Sequence, residues 1–385
     1  MKKIKLLNKI AAVGLNQFDK SAYELSTAIE DPEAIMVRSA AMHDMQFNPE
    51  LKAIARCGAG VNNIPLDRCA AEGIVVFNTP GANANGVKEL AIAALLLASR
   101  NIVGGIEWAN TLTTDVAKSV EAGKSKFAGC ELKGKTLGVI GLGAVGGLVA
   151  NAGKALGMNV VGCDPYITVE AAWSLSRDIR KAATYEEVFE ASDYISIHVP
   201  LTPETKNLIN SGSIAHMKKG VRIINLSRAD LACASDVKEA LADGSIAAYV
   251  TDFPTEETVN VPGIIAIPHL GASTEEAEDN CAVMAADELT KFLETGNIKN
   301  SVNYPSIEMP RTDAGRLVIL HKNIPNMISH ISSTLAKQNI NIENMANRSK
   351  GDYAVTLIDT YADVTPDMID TICGMEGIIR IIKIA

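Results

Sequence analysis

One stretch restricts the fold more than any other. In TLGVIGLGAVGGLVA, residues 136–150, an apolar run passes into Gly141-x-Gly143-x-x-Gly146 and then into a helical pattern. The first glycine permits a tight turn, the second lets the backbone approach a bound group, and the third lets helix and strand pack closely. Three glycines alone specify little; the strand before them and the helix after them give the motif its meaning. A second run, NVVGC, then ends at Asp164. Strand, turn, helix and strand form a parallel βαβ unit, and a parallel sheet must be covered on both faces. A layered α/β protein is the consequence.

The rest of the chain fits that frame. AIMVR (34–38), LKAIAR (51–56) and IVVFN (74–78) are short buried strands with helical patterns between them. Residues 86–101, GVKELAIAALLLASRN, are an apolar helix too short to span a bilayer. A second series supplies TLGVI, NVVGC, YISIHV, VRIINL, IAAYV and GIIAI, followed by a long helix over 273–295. Pro and polar turn residues mark 301–314 as a linker. Residues 315–385 repeat a βαββαβ rhythm, a ferredoxin-like module. The expected fold class is α/β: two Rossmann-like, doubly wound parallel-sheet lobes and the small module. The expected boundaries are 1–85 completed by 270–300, then 86–269, 301–314 and 315–385.

Composition narrows the partners. The formal net charge is -9, so nucleic acid and anionic membranes are not expected. Seven cysteines without a CxxC pair indicate reduced thiols in a cytoplasmic protein and no metal knot. The start, MKKIKLLNKIAAVGL, is basic but lacks the apolar core of a signal peptide.

The glycine turn predicts a dinucleotide site. Gly141, Gly143, Ala144, Val145 and Gly146 would hold a pyrophosphate at a helix N-terminus. Asp164 would accept hydrogen bonds from ribose hydroxyls and repel a 2′-phosphate, which selects NAD over NADP. Three further segments, HVPLTPET, INLSRAD and IPHLGAST, lie at predicted strand ends, the edge where open α/β sheets bind ligands, and VTDFPTEE lies between the last two. HVPLTPET carries His198, Pro200 and Thr205, expected beside the cofactor. INLSRAD carries Arg228, and VTDFPTEE carries Asp252 and Glu256 ahead of His269 in IPHLGAST. An arginine can grip a carboxylate with two parallel hydrogen bonds. A histidine can take a hydroxyl proton as hydride leaves, and a glutamate can orient the imidazole. That set suits oxidation of a 2-hydroxy acid.

In order and spacing, GLGAVG with Asp164, HVPLT, INLSR, FPTEE and PHLGAST resemble the D-isomer-specific 2-hydroxyacid dehydrogenase family over nearly the whole chain. The resemblance implies that Arg228 binds the substrate carboxylate and that Glu256 and His269 form the acid–base pair, with the active site in a cleft between the two lobes. It implies substrate contacts at Arg38 and Ser39, at Gly58, Ala59 and Gly60, and at Asn83. The C-terminal module resembles an ACT domain, a regulatory fold, with His321, Asn323 and Asn341 at positions that bind serine in regulated members. Together these imply NAD-dependent oxidation of 3-phosphoglycerate to 3-phosphohydroxypyruvate, the first step of phosphorylated serine synthesis, in a homodimer or homotetramer. Two other outcomes stay open: a glyoxylate or hydroxypyruvate reductase, or a non-catalytic NAD sensor. Three positions depart from the family pattern: Thr251 replaces an Asp, Ala41 a Thr, and Asn326 a Gly.

Overall fold

The structure is a computed structural model that describes residues 1–312, 315–362 and 364–384. It divides into two compact units: residues 1–82 with 278–385, and residues 83–277.

The second unit is built on seven parallel strands: β6 (Thr136–Ile140), β7 (Asn159–Cys163), β8 (Arg180–Lys181), β9 (Tyr194–Ile197), β10 (Val221–Asn225), β11 (Ile246–Thr251) and β12 (Ile264–Ala266). Their order is β12-β11-β10-β9-β6-β7-β8. The chain starts in the middle with β6, winds out one way through β7 and β8, then crosses to β9 and winds the other way. That reversal beside β6 is the topological switch point where such sheets bind ligands. Both faces are covered. Ala91, Ala94 and Leu95 of the helix Ala84–Ser99 pack with Leu137, Val139, Ile224 and Val250. On the other face, Val188, Phe189 and Val237 from two further helices pack with Ile195, Ile197 and Ile223. Runs of fully buried Ile and Val are what two-sided covering demands.

The first unit holds two sheets. Strands β1 (Lys2–Leu6), β2 (Tyr23–Ser26), β3 (Ala34–Val37), β4 (Ala53–Arg56) and β5 (Val75–Asn78) are parallel in the order β2-β1-β3-β4-β5, a second doubly wound pattern. The basic start of the chain is thus an inner strand. The other sheet is antiparallel: β13 (Gly315–Lys322), β14 (Asn344–Lys350), β15 (Tyr353–Thr360) and β16 (Ile378–Ile384), in the order β14-β15-β13-β16. With helices Met327–Lys337 and Pro366–Cys373 it completes the βαββαβ module. One sheet face packs on those helices through Leu317, Ile319, Ile331 and Ile372. The other face contributes Val318, Leu320, Val355, Leu357, Ile382 and Ile384 to the core that holds Met36, Phe77 and Phe292. Each such burial stabilises by roughly 1.5–3 kcal/mol.

Polar anchors reinforce that contact. Arg316, fully buried, donates from Nε and Nη2 to the two Asp359 carboxylate oxygens at 2.6 and 2.9 Å. It also donates to the Thr295, Met309 and Pro310 carbonyls. The stretch expected as a linker is packed over most of its described length. Ser301 bridges Phe77, Val302 N–H donates to the Val76 carbonyl, and Tyr304 Oη donates to Ala70. Residues 313–314, at the end of that stretch, lie outside the described residues. No single helix among the described residues is long and apolar enough to cross a membrane.

Candidate active site

The glycine turn leaves β6 with Gly141 at φ +86°, in the left-handed region that favours glycine. A Cβ there would lie 2.5 Å from the His198 carbonyl oxygen, and one on Gly146 would lie 1.8 Å from the Gly141 carbonyl oxygen. Gly143 differs: nothing stands within 4 Å of where its Cβ would be. It also caps the helix Ala144–Ala155, whose first turn receives no side-chain cap. Open space before uncapped helix amides is an anion cradle.

Asp164 buttresses this turn. Its Oδ2 accepts the Leu142 N–H at 2.8 Å and its Oδ1 accepts the Tyr166 N–H at 2.9 Å. The carboxylate retains lone pairs for further donors. His198 sits beneath the turn. Its Nε2 lies 2.8 Å from Ser196 Oγ, and burial pushes its imidazole down to about 4, so it is neutral near pH 7. Pro200 and Thr205 belong to one closed loop, with Thr205 Oγ1 donating to the Pro200 carbonyl at 2.7 Å.

At the end of β10, buried Asn225 donates from Nδ2 to the Arg228 carbonyl and to Tyr249 Oη, while its Oδ1 accepts the Ser227 N–H. This turn presents Arg228 at the surface, its guanidinium carbon 5.5 Å from the Phe253 ring centroid. The other neighbour of that ring is His269, with centroids 4.6 Å apart. Phe253 was not singled out in the sequence, yet it links the two predicted polar groups. The His269 N–H donates to the Asp252 carbonyl at 3.0 Å. Asp252 is 1% exposed, and its Oδ1 has no hydrogen-bond partner. Burial raises its carboxyl above the usual range, opposed by His269, the Gly271 N–H and Arg228. Thr251 is turned inward, its Oγ1 accepting the Phe253 N–H. Glu256 is exposed, and no hydrogen bond or ion pair joins it to His269 among the described residues. Asn83 caps the helix Ala84–Ser99 through its backbone, without a side-chain cap.

The other predicted contacts lie in the first unit. Asn8, which carried no sequence signal, accepts three consecutive N–H groups, from Arg38, Ser39 and Ala40, on its Oδ1. Arg38 pairs with Glu278 at 2.6 Å. The turn Gly58–Gly60 is tied down by the Thr79 N–H on the Gly58 carbonyl and by Asn78 Nδ2 on the Ala59 carbonyl. In the C-terminal module, His321 is 2% exposed, with Nδ1 on the Lys322 carbonyl and Nε2 on Thr356 Oγ1. Asn323 Nδ2 donates to the Gly351 carbonyl, and Asn341 is exposed. Asn326 takes φ +68°, so it keeps the left-handed turn that glycine would make.

Residues 92–271 match the model described as "D-isomer specific 2-hydroxyacid dehydrogenase, NAD binding domain". The chain belongs to the D-isomer-specific 2-hydroxyacid dehydrogenase family, and its second unit is the NAD-binding domain. Among its relatives, the D-3-phosphoglycerate dehydrogenase of Methanocaldococcus jannaschii is 36% identical over 320 residues, covering 80% of this chain and 59% of that protein. The D-3-phosphoglycerate dehydrogenase 1 of Saccharomyces cerevisiae is 30% identical over 398 residues, covering 93% of this chain and 81% of that one. A crystal structure of NAD+-bound 3-phosphoglycerate dehydrogenase from Entamoeba histolytica superposes with a TM-score of 0.61 at 27% identity, over 78% of this chain and 98% of that chain. The chain spans about half the length of several curated relatives it matches.

Proposed function

We propose that the protein oxidises 3-phospho-D-glycerate to 3-phosphohydroxypyruvate with NAD, the opening step of phosphorylated L-serine synthesis. The observation that carries this reading is the Arg228–Phe253–His269 cluster with buried Asp252, which follow the ends of β10, β11 and β12 in the same sheet that carries the glycine turn.

The residues present fit a dinucleotide. Gly143 and the uncapped amides of Ala144–Ala155 would take the pyrophosphate, and Asp164 the adenosine ribose. The unpartnered Asp252 Oδ1 would accept a hydrogen bond from the carboxamide. Pro200 and Thr205 would shape the wall beside the ring. When bound, NAD supplies the hydride acceptor.

Arg228 holds the substrate carboxylate with its remaining N–H donors; its Nη1 donates to the Ser227 carbonyl at 2.6 Å, which ties the guanidinium down beside Phe253. His269 takes the C2 hydroxyl proton while the C2 hydrogen departs as hydride; the C–O bond becomes a carbonyl and the proton stays on the imidazole. Asp252 fixes His269 by accepting its backbone N–H on the main-chain carbonyl. Glu256 shares this role once it turns toward His269. In the first unit, Arg38, Ser39 and the N–H groups of Gly58, Ala59 and Gly60 supply phosphate donors. The half-exposed Arg38–Glu278 pair is the kind of contact worth only about 0–1 kcal/mol, so phosphate can displace the carboxylate. Asn83 contacts the substrate.

Initial rates of NADH formation test the reading. 3-Phosphoglycerate is expected to be used far better than D-glycerate or D-lactate, and Arg38→Ala to remove the preference. Equal use of D-glycerate overturns the substrate assignment and favours a hydroxypyruvate reductase; no turnover of any 2-hydroxy acid favours a sensor. The protein acts as a homodimer or homotetramer. Ile102, Val103, Ile106 and Val116 leave an apolar face exposed on the second unit, which a second copy would cover. Light scattering checks this, with a monomer as the contrary result. L-Serine binds at the C-terminal module near Asn323 and Asn341, and lowered rates on adding it would support that site; unchanged rates oppose it.

A further inference from the structure

Glu288 lies on the inner side of the helix Glu275–Thr295 and is only 7% exposed. Its Oε1 accepts a hydrogen bond from Asn300 Nδ2 at 2.7 Å, and its Oε2 has no hydrogen-bond partner. The titratable groups around it are Lys299 beside Asn300, Asp287 on its own helix, and the buried Cys57 thiol after β4, which in turn feels Arg56. The proposed reaction makes no use of this acid.

Its partner begins a strap. Asn300 holds φ +58°, a conformation that costs a side-chain-bearing residue energy unless its surroundings fix it. The Asn300 carbonyl accepts the N–H of Asn78, the last residue of β5. Ser301 bridges Phe77, the Val302 N–H donates to Val76, and Asn303 Oδ1 accepts the Val76 N–H while its Nδ2 donates to the Ile74 carbonyl. Residues 300–303 therefore form the outer partner of β5. The end of β5 in turn carries the substrate turn, through Asn78 Nδ2 on the Ala59 carbonyl at 2.6 Å and the Thr79 N–H on the Gly58 carbonyl at 3.1 Å.

We propose that Glu288 is a positioning residue for the Gly58–Gly60 turn, acting through Asn300 and the end of β5. This rests on the reading above that the turn meets the substrate. A neutral acid keeps its proton on Oε2 and presents Oε1 as a carbonyl acceptor, the same face a glutamine amide presents. Ionisation would leave a charged oxygen buried without a donor, so water or Lys299 must move in and the Asn300 contact is disturbed. Burial pushes Glu288 up to about 8, which places the change within reach of ordinary assays.

The test is KM for 3-phosphoglycerate between pH 6.5 and 9.5, using the full chain as wild type, Glu288→Gln and Glu288→Ala, with the Kd for NADH measured alongside. At pH 9 about a tenth of the wild-type molecules would keep the proton, so KM should rise up to about tenfold while the Kd for NADH stays flat. Glu288→Gln should match wild type at pH 7 and lose the alkaline rise; Glu288→Ala should have a raised KM at every pH. The substrate phosphate titrates alike in all three proteins, so the difference between them is the readout. A flat wild-type KM overturns the proposal without any variant, as does an equal alkaline rise in Glu288→Gln. Absence of 3-phosphoglycerate turnover at every pH overturns the functional reading and this role with it, whereas turnover with a pH-independent KM overturns the role alone.

Discussion

Removing the Asp164 carboxylate should separate the two tasks placed on it. Its two oxygens hold the Leu142 and Tyr166 N–H groups at 2.8 and 2.9 Å, which fixes the turn that carries Gly141, Gly143 and Gly146. Its remaining lone pairs could accept from ribose hydroxyls, the second task proposed for it. Hydrogen bonds to a charged group contribute about 1.5–3 kcal/mol each. Loss of one ribose contact in Asp164→Ala should therefore raise the Kd for NADH about 10- to 150-fold. Loss of the two backbone contacts should also lower the melting temperature of the second unit. Binding of NADPH should suffer less, because the same change removes the charge that repels a 2′-phosphate. Fluorescence titration of NADH and NADPH at one fixed salt concentration reads both constants without needing turnover. A variant Kd for NADH within about twofold of wild type, with an unchanged preference over NADPH, would refute the assignment.

Three other outcomes follow from contacts in the structure. Gly146→Ala puts a methyl group 1.8 Å from a backbone oxygen that no side-chain rotation can clear; NADH binding should be lost in a titration while far-UV circular dichroism still shows a folded chain. Arg316→Met leaves the fully buried Asp359 carboxylate unpaired, which should cost about 3–5 kcal/mol in denaturant unfolding. Adding Asp359→Leu should recover most of that loss, and failure to recover it would show that the backbone carbonyls matter more than the ion pair. Glu288 should make stability pH-dependent. Its folded value of about 8 lies above its ordinary 4.5, so the unfolded chain releases the proton first. Stability should then fall as pH rises from 4.5 to 8, by at most about 1.4 kcal/mol per pH unit, and level off above that. Glu288→Gln should remove the slope from melting curves recorded across this range.

The central elements were legible because their chemistry is local. A glycine turn between an apolar strand and a helix has few readings, and TLGVI and NVVGC match β6 and β7 residue for residue. The βαββαβ rhythm of the C-terminal module was legible because β13, β15 and β16 each carry an apolar run, although β14, NMANRSK, is polar and exposed. What escaped depends on partners distant in sequence. KKIKL offers no plain apolar run, yet it is a strand, because its neighbours in the sheet are Tyr23–Ser26 and Ala34–Val37. The stretch 301–314 has the composition of a linker, but Asn303 spends its side chain on the Val76 N–H and the Ile74 carbonyl, and Asn300 just before it binds Glu288. The same holds at the site. Arg228 and His269 announced themselves by type and motif, whereas the ring between them is one phenylalanine among seven. Asn8 has no motif at all; its role exists only once Arg38, Ser39 and Ala40 fold over it.

Replacing His269 by Asn bears most directly on the chemistry assigned here. Single-turnover formation of NADH from 3-phosphoglycerate should fall by about 10²- to 10⁴-fold in His269→Asn, the usual cost of losing a positioned base, with the Kd for NADH unchanged. A variant that transfers hydride at the wild-type rate would contradict the role given to this imidazole and, with it, the reading of the Arg228–Phe253–His269 stack as the reaction centre.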